Sequence, residues 1–181
     1  VTKGHDVPGV TLVGVVLADQ SLAFPDFRAA ERTFQLLSQV AGRAGRGEVP
    51  GHVVFQTFQP EHPAVCFAAN HDYDGFYKTE IAARRELMYA PFSRLVAVRV
   101  DAGDDHRARS AIDTLAETAS ATRGVKDGVV RLLGPAPAPI GRLRGRYRHR
   151  FLLRSADRRA LRQVAAAVAG RNYALAVVEH F

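Results

Sequence analysis

Cysteine is nearly absent from these 181 residues, with Cys66 the only one. A lone thiol excludes an intramolecular disulfide and a cysteine-based zinc cluster within the chain, and it suits a cytoplasmic protein. Cys66 lies between Val65 and Phe67 and reads as a core residue, with thiol reactivity the alternative. Long apolar runs are lacking too. Arg, Asp, Gly or Pro interrupts every stretch before about 18 apolar residues accumulate, which excludes a membrane-spanning helix on length. The opening Val1-Thr2-Lys3-Gly4-His5-Asp6 has no apolar core after its charge, so no signal peptide is expected. None of Lys3, Lys78 and Lys126 follows a G-x-x-x-x-G-K-[ST] loop, and no Asp-Glu metal-holding motif is evident. These residues alone should therefore not hydrolyse a nucleoside triphosphate. The histidines (His5, His52, His62, His71, His106, His149, His180) show no metal-ligand spacing, so no metal site is expected.

What is present is an apolar share of 47%, enough for one ordinary domain or two small ones, and a formal charge of +7. The charge is uneven. Between Arg123 and Arg171 basic residues far outnumber Asp127 and Asp157, whereas the stretch before about residue 120 is roughly balanced. A basic half points to a polyanionic partner; a generally Arg-rich composition is the alternative.

The opening reads as the interior of a domain, so the chain is expected to be a piece of a longer protein. Residues 10–18 (VTLVGVVLA) form a continuous β-branched run, the signature of a strand buried on both faces of a parallel sheet. A helix follows, with Asp26 as cap, a body over 28–40, and Ala30, Phe34, Leu37 and Ala41 on one face until Gly42, Gly45 and Gly47 end it. Residues 52–58 alternate as a second strand, and 61–87 are helical with a break near Asn70-His71-Asp72. Tyr89-Ala90-Pro91-Phe92 marks a domain junction, giving domains 1–90 and 91–181. Beyond it come a strand over 95–100, a helix over 106–121 and a strand over 129–133 that the run Gly134-Pro135-Ala136-Pro137-Ala138-Pro139 should stop. A strand over 146–153, a helix over 157–169 capped by Asp157 and a strand over 173–178 complete it. That order, β-α-β-β-α-β, is the split βαβ, ferredoxin-like arrangement. The fold class expected is α/β.

The most specific local pattern is Gln39-Val40-Ala41-Gly42-Arg43-Ala44-Gly45-Arg46. If the helix runs past Val40, Gln39, Arg43 and Arg46 sit at i, i+4 and i+7 and project from one face at its C-terminal end. Two guanidinium forks suit a triphosphate, because arginine stays charged and matches phosphate oxygens bidentately. In phosphoryl transfer such a finger is worth roughly a thousandfold or more in rate. A solvated helix end that complements the dipole is the plainer reading of the bare pattern.

Together with the upstream turn Lys3-Gly4-His5-Asp6-Val7-Pro8, this pattern is similar to motifs V and VI of superfamily two helicases. Asp19 and Pro25-Asp26-Phe27-Arg28-Ala29-Ala30-Glu31-Arg32 resemble the PriA family of replication-restart helicases (primosomal protein N-prime) in particular. So do Pro60-Glu61-His62, His71-Asp72-Tyr73 with Phe76, Ala90-Pro91-Phe92-Ser93-Arg94, Leu133-Gly134-Pro135-Ala136-Pro137 and Gly145-Arg146-Tyr147-Arg148. The resemblance covers nearly the whole chain in the family's order; Ala90 replaces a usual second proline and His149 a common aromatic.

The resemblance implies the C-terminal part of a second RecA-like lobe followed by a C-terminal DNA-binding domain. Gln39, Arg43 and Arg46 would face ATP and Mg2+ in a site completed by a first lobe. Gly4, Asp6 and Gly42 would line the nucleotide side, and Lys3 would lie on the DNA track. Zinc would belong only to an upstream module. The implied activity is three-prime to five-prime unwinding at stalled or repaired forks. Implied partners are branched and single-stranded DNA, single-stranded DNA-binding protein and primosome loading proteins, in a nucleoid-associated cytoplasmic setting. A non-catalytic DNA-binding scaffold that has lost its motor is the alternative, and the retained Gln39, Arg43 and Arg46 argue against it.

The second pattern is Arg142-Leu143-Arg144-Gly145-Arg146-Tyr147-Arg148-His149-Arg150. In an extended chain, Arg142, Arg144, Arg146, Arg148 and Arg150 would share one face at about 6.6 Å spacing, while Tyr147 and Phe151 face the other way. That favours contact with a DNA backbone over base stacking. An edge strand whose charges block aggregation is the alternative. Arg158 and Arg162, at i, i+4 on the last helix, could hold an acidic peptide end such as that of single-stranded DNA-binding protein, or could be an ordinary solvated face.

Overall fold

The computed structural model describes residues 10–42, 44, 50–170 and the backbone of 178–180. The chain is α/β and divides into two compact units between Ala83 and Arg84.

In the first unit, β1 (Leu12–Val15) pairs in parallel with β2 (His52–Phe55), Leu12 opposite His52 and Val15 opposite Phe55. Three helices accompany them: α1 (Ala29–Ala41), α2 (Pro63–Ala69) and α3 (Tyr73–Glu86). The core gathers Ala18, Phe34, Leu37, Ala64, Val65, Ala68 and Phe76, with Val15 and Phe55 packed against it. Phe34 and Phe76 stack with ring centroids 4.2 Å apart, joining α1 to α3. The expectation of a strand buried on both faces is corrected. Val15 and Phe55 meet the helices, but Leu12, Val16 and Val54 on the other face are 64%, 73% and 56% exposed. Within the first unit, the described helices cover one side of this two-stranded sheet.

Local capping sets the helix boundaries. Asp26 accepts from the Arg28 N–H at 2.9 Å and pairs with Arg32 at 2.8 Å, so it organises the entry to α1 from just outside it. Asn70 caps the C-terminal end of α2, His71 turns with a positive φ of 54°, and Asp72 accepts from the Gly75 N–H at the start of α3. The expected break near Asn70-His71-Asp72 is found.

The second unit takes in the end of α3, then β3 (Arg94–Ala102), α4 (Asp105–Ala121), a short α5 (Arg123–Lys126), β4 (Arg131–Leu143), β5 (Arg146–Ser155), α6 (Arg158–Ala169) and β6 (Val178–His180). Its sheet runs β4-β5-β3-β6 with every neighbour antiparallel, so β5 is inserted between β3 and β4, the strands that the α4 crossover joins. Val96, Val98, Val100, Phe151 and Leu153 point from the sheet into a core closed by Ile112 and Leu115 of α4 and Leu161, Val164 and Val168 of α6.

The junction expected at 90/91 lies inside this second unit. Ala90 is buried, Arg85 sits over the Phe92 ring at 5.0 Å, and Arg154 of β5 donates to the Leu87 carbonyl at 2.7 Å. These contacts tie the turn after α3 to the sheet. The expected end of a strand at the proline run is corrected, because β4 continues through Pro135, Pro137 and Pro139 to Leu143. β4 is an edge strand, where one row of backbone groups has no neighbour to bond, and its pairing with β5 shifts register after Leu133 and again after Pro137. Gly134, at φ 109°, makes the first shift possible: a Cβ there would stand 3.2 Å from the Arg150 carbonyl oxygen. Most of the expected strand over 173–178 lies outside the described residues.

Candidate functional site

The helix-end pattern is described only in part. α1 closes at Ala41, and Gly42 caps it with its N–H on the Ser38 carbonyl at 3.0 Å. Gln39 and Gly42 are exposed, while Phe34, Leu37, Val40 and Ala41 are turned into the protein, so Gln39 stands on the solvent side of the helix. Arg43, Arg46, Gly4, Asp6 and Lys3 lie outside the described residues. Beside the end of α1 opens a cavity of about 460 Å³, lined by Ala41, Val53, Phe55, Val65, Ala69 and His71 among others. Its described walls carry no lysine or arginine, so by themselves they do not fit a triphosphate.

Asp19 and His62 have structural duties. The buried Asp19 carboxylate accepts the Phe58 N–H at 3.0 Å, joining the turn after β1 to the end of β2. His62 is the N-cap of α2 and accepts the Ala64 N–H on Nδ1 at 3.1 Å, which requires that nitrogen to be unprotonated. Burial pushes the His62 imidazole below its ordinary value of 6.5, against a smaller opposing pull from Glu80. Cys66 is half-buried and donates to the Pro60 carbonyl.

The basic run is not one extended strand, which corrects the single-file row of arginines. It folds back at Arg144-Gly145, both with positive φ (50° and 77°), as a two-residue hairpin turn between β4 and β5. Arg142 therefore stands on β4 opposite Tyr147, with its guanidinium 5.0 Å over that ring, on the face away from Arg148 and Arg150. Arg144 is exposed at the tip. Arg146 is exposed and donates to the Asp101 carbonyl at 2.6 Å. Arg148 is mostly buried, with Nε 3.5 Å from an Asp101 carboxylate oxygen, and that nitrogen has no hydrogen-bond partner among the described residues. Arg150 is half-buried. His149, on the opposite face, is buried and bonds Asp105 in the first turn of α4 at 2.9 Å.

Arg158 and Arg162 are exposed one turn apart on α6, away from the core-facing Leu161 and Val164. Among the described residues no group of three or more His, Cys, Asp or Glu could hold a metal ion. Among them, too, no helix is long and apolar enough to cross a membrane.

The register also assembles a set that the linear reading did not single out. Arg99 of β3 lies opposite Arg150, Arg131 of β4 lies opposite Arg154, and all four share with Arg148 the face of the sheet turned away from α4 and α6. The strand alternation Val98-Arg99-Val100 marks Arg99 as pointing away from the core.

The model of the primosomal protein N C-terminal domain family matches residues 85–178, which is the second unit almost in full. The chain belongs to the PriA family. It is 44% identical over 154 residues to the replication restart protein PriA of Bacillus subtilis, covering 85% of this chain and 19% of that protein. With PriA of Treponema pallidum the identity is 41% over 165 residues, 91% of this chain and 25% of the relative. With PriA of Haemophilus influenzae it is 35% over 161 residues, covering 89% and 22%. The chain thus spans about a fifth to a quarter of the length of these PriA relatives. The PriA match carries both units, since 85% of the chain cannot be covered by the second alone.

Proposed function

We propose that this chain is the C-terminal part of an ATP-dependent DNA helicase of superfamily two that acts in replication restart. It would engage stalled or repaired forks and assemble the primosome there, moving three-prime to five-prime with ATP and Mg2+. The family membership, with relatives named replication restart protein over most of the chain, is the observation that carries this reading. In it the first unit is the C-terminal part of the second RecA-like lobe. A parallel strand pair backed by helices is compatible with that assignment. Gln39, Arg43 and Arg46 face the nucleotide held by a first lobe, with Gly4, Asp6 and Gly42 beside it and Lys3 toward DNA.

The second unit holds DNA. Arg144 and Arg146 at the hairpin tip, with Arg142 on its tyrosine, offer charge to phosphates without reading bases, so binding should weaken steeply as salt rises. Arg158 and Arg162 take the acidic end of single-stranded DNA-binding protein. The decisive experiment is Arg43→Ala in the complete ATPase. DNA-stimulated ATP hydrolysis should fall on the order of a thousandfold with the melting temperature unchanged. Unchanged turnover would remove Arg43 from the nucleotide site.

A further inference from the structure

The hairpin that joins β4 to β5 carries Arg142, Arg144 and Arg146, and two of these guanidinium groups are held by atoms beside them. Arg146 donates to the Asp101 carbonyl near the end of β3 at 2.6 Å. Arg142 lies over the Tyr147 ring, 5.0 Å from its centroid. The bond from Arg146 has a plain structural duty, since it fastens the hairpin to β3. The stack of Arg142 on Tyr147 links two strands that the backbone register already links, so its use lies elsewhere.

The turn decides this pairing. With Arg144 and Gly145 at positive φ as the two turn residues, Leu143 meets Arg146 and Arg142 meets Tyr147. Side chains directly opposite begin about 4.5–5.5 Å apart at Cβ, so the Arg142 stem reaches over the ring without stretching. Tyr147 is half-buried, with Ala102 of β3 opposite it on its other side, whereas Arg142 is exposed. Stacking occupies the flat face of a guanidinium and leaves its five N–H donors, which lie in the plane, able to reach an acceptor. An arginine already held in this way has less side-chain freedom to lose when it meets a ligand. The same stack covers that face of the ring, so Tyr147 does not offer it to a base.

We infer that Tyr147 is a positioning residue: its ring holds the Arg142 guanidinium in one orientation, so that Arg142 meets a phosphate as a preformed fork. This role rests on the reading of the hairpin tip as a DNA contact. Lysine would supply the same charge as a point, whereas the planar fork of arginine is a shape that an aromatic face can orient.

The test is fluorescence anisotropy of the 181-residue chain with a labelled forked duplex across a salt series, with melting curves confirming the fold. Tyr147→Ile should weaken binding roughly two- to fivefold without changing the slope of log affinity against log salt, because no phosphate contact is lost. Arg142→Gln should weaken binding and make that slope shallower by about 0.9. Tyr147→Phe keeps the ring and should bind as the parent does. In the Arg142→Gln background, Tyr147→Ile should have no further effect. An equal loss from Tyr147→Ile in both backgrounds would mean that the ring acts on DNA or on the fold by itself, and would overturn the inference. So would parent affinity in Tyr147→Ile beside weaker binding in Arg142→Gln. Arg142→Lys leaves the ring in place and keeps the test open if Tyr147→Ile melts early. It should bind more weakly at the parent slope, and parent affinity would show that the stacked plane does nothing. Where Arg144→Gln weakens fork binding in those cases, the DNA reading of the tip stands. If neither Arg142→Gln nor Arg144→Gln changes fork binding, that reading falls and the positioning role with it.

Discussion

His62 shows how one side chain ties pH to the stability of the first unit. Its Nδ1 caps α2 as an acceptor, and burial holds its pKa below 6.5, with Glu80 opposing weakly. The folded state therefore binds fewer protons than the unfolded chain as pH falls through 6.5, so stability is full above that value and is lost below it. The melting temperature of the first unit should drop on acidification from about pH 7.5 to 5.5. His62→Asn retains a capping acceptor that does not titrate and should flatten that part of the profile. An unchanged profile in His62→Asn would show that other groups set the acid limb. At this same scale, Asp26 was legible as a boundary residue because its partners, the Arg28 N–H and the Arg32 side chain, lie within six residues of it. Arg148 was not: its neighbour Asp101 is on another strand, and sequence spacing does not encode that distance.

Among the elements, α6 was read almost to the residue. Asp157 accepts from the N–H groups of Arg159 and Ala160 at 2.7 and 3.0 Å, and Leu161, Val164 and Val168 follow at helical spacing. Asp157→Ala should cost about 1 kcal/mol, measured as a lower denaturant midpoint at constant m-value. β4 was misread because its fate depends on its place in the sheet. Three prolines argue against a central strand, and only the order β4-β5-β3-β6 reveals that this strand is at an edge. The basic run was misjudged for a related reason. Alternating arginines fit an extended strand equally well whether or not the chain reverses at Arg144-Gly145, and the reversal moves Arg142 to the other face.

For the whole molecule, two separate cores imply two separable stabilities. Phe151 is 1% exposed at the centre of the second core, and Phe34 is 5% exposed in the first. Phe151→Ala should cost about 3–5 kcal/mol and abolish slow amide exchange across β3, β4 and β5. Protection in α1 and α2 should persist. Simultaneous loss in both units would mean that they unfold as one. The same division bears on function: changes such as Arg43→Ala and Arg131→Gln fall in different units, and their effects on stability should add.

By itself, the sequence determined the α/β class, the placement of most strands and helices, the Asp157 cap of α6 and the kinship with the PriA family. Those features rest on periodicity, turn chemistry and motif spacing, all of which act over a few residues. Only the tertiary structure decided that β1 is covered on one side, that β4 passes through its prolines, and that Arg99, Arg131, Arg150 and Arg154 share one surface. Strand register and sheet order join residues tens of positions apart, and no local pattern specifies which strand becomes whose neighbour.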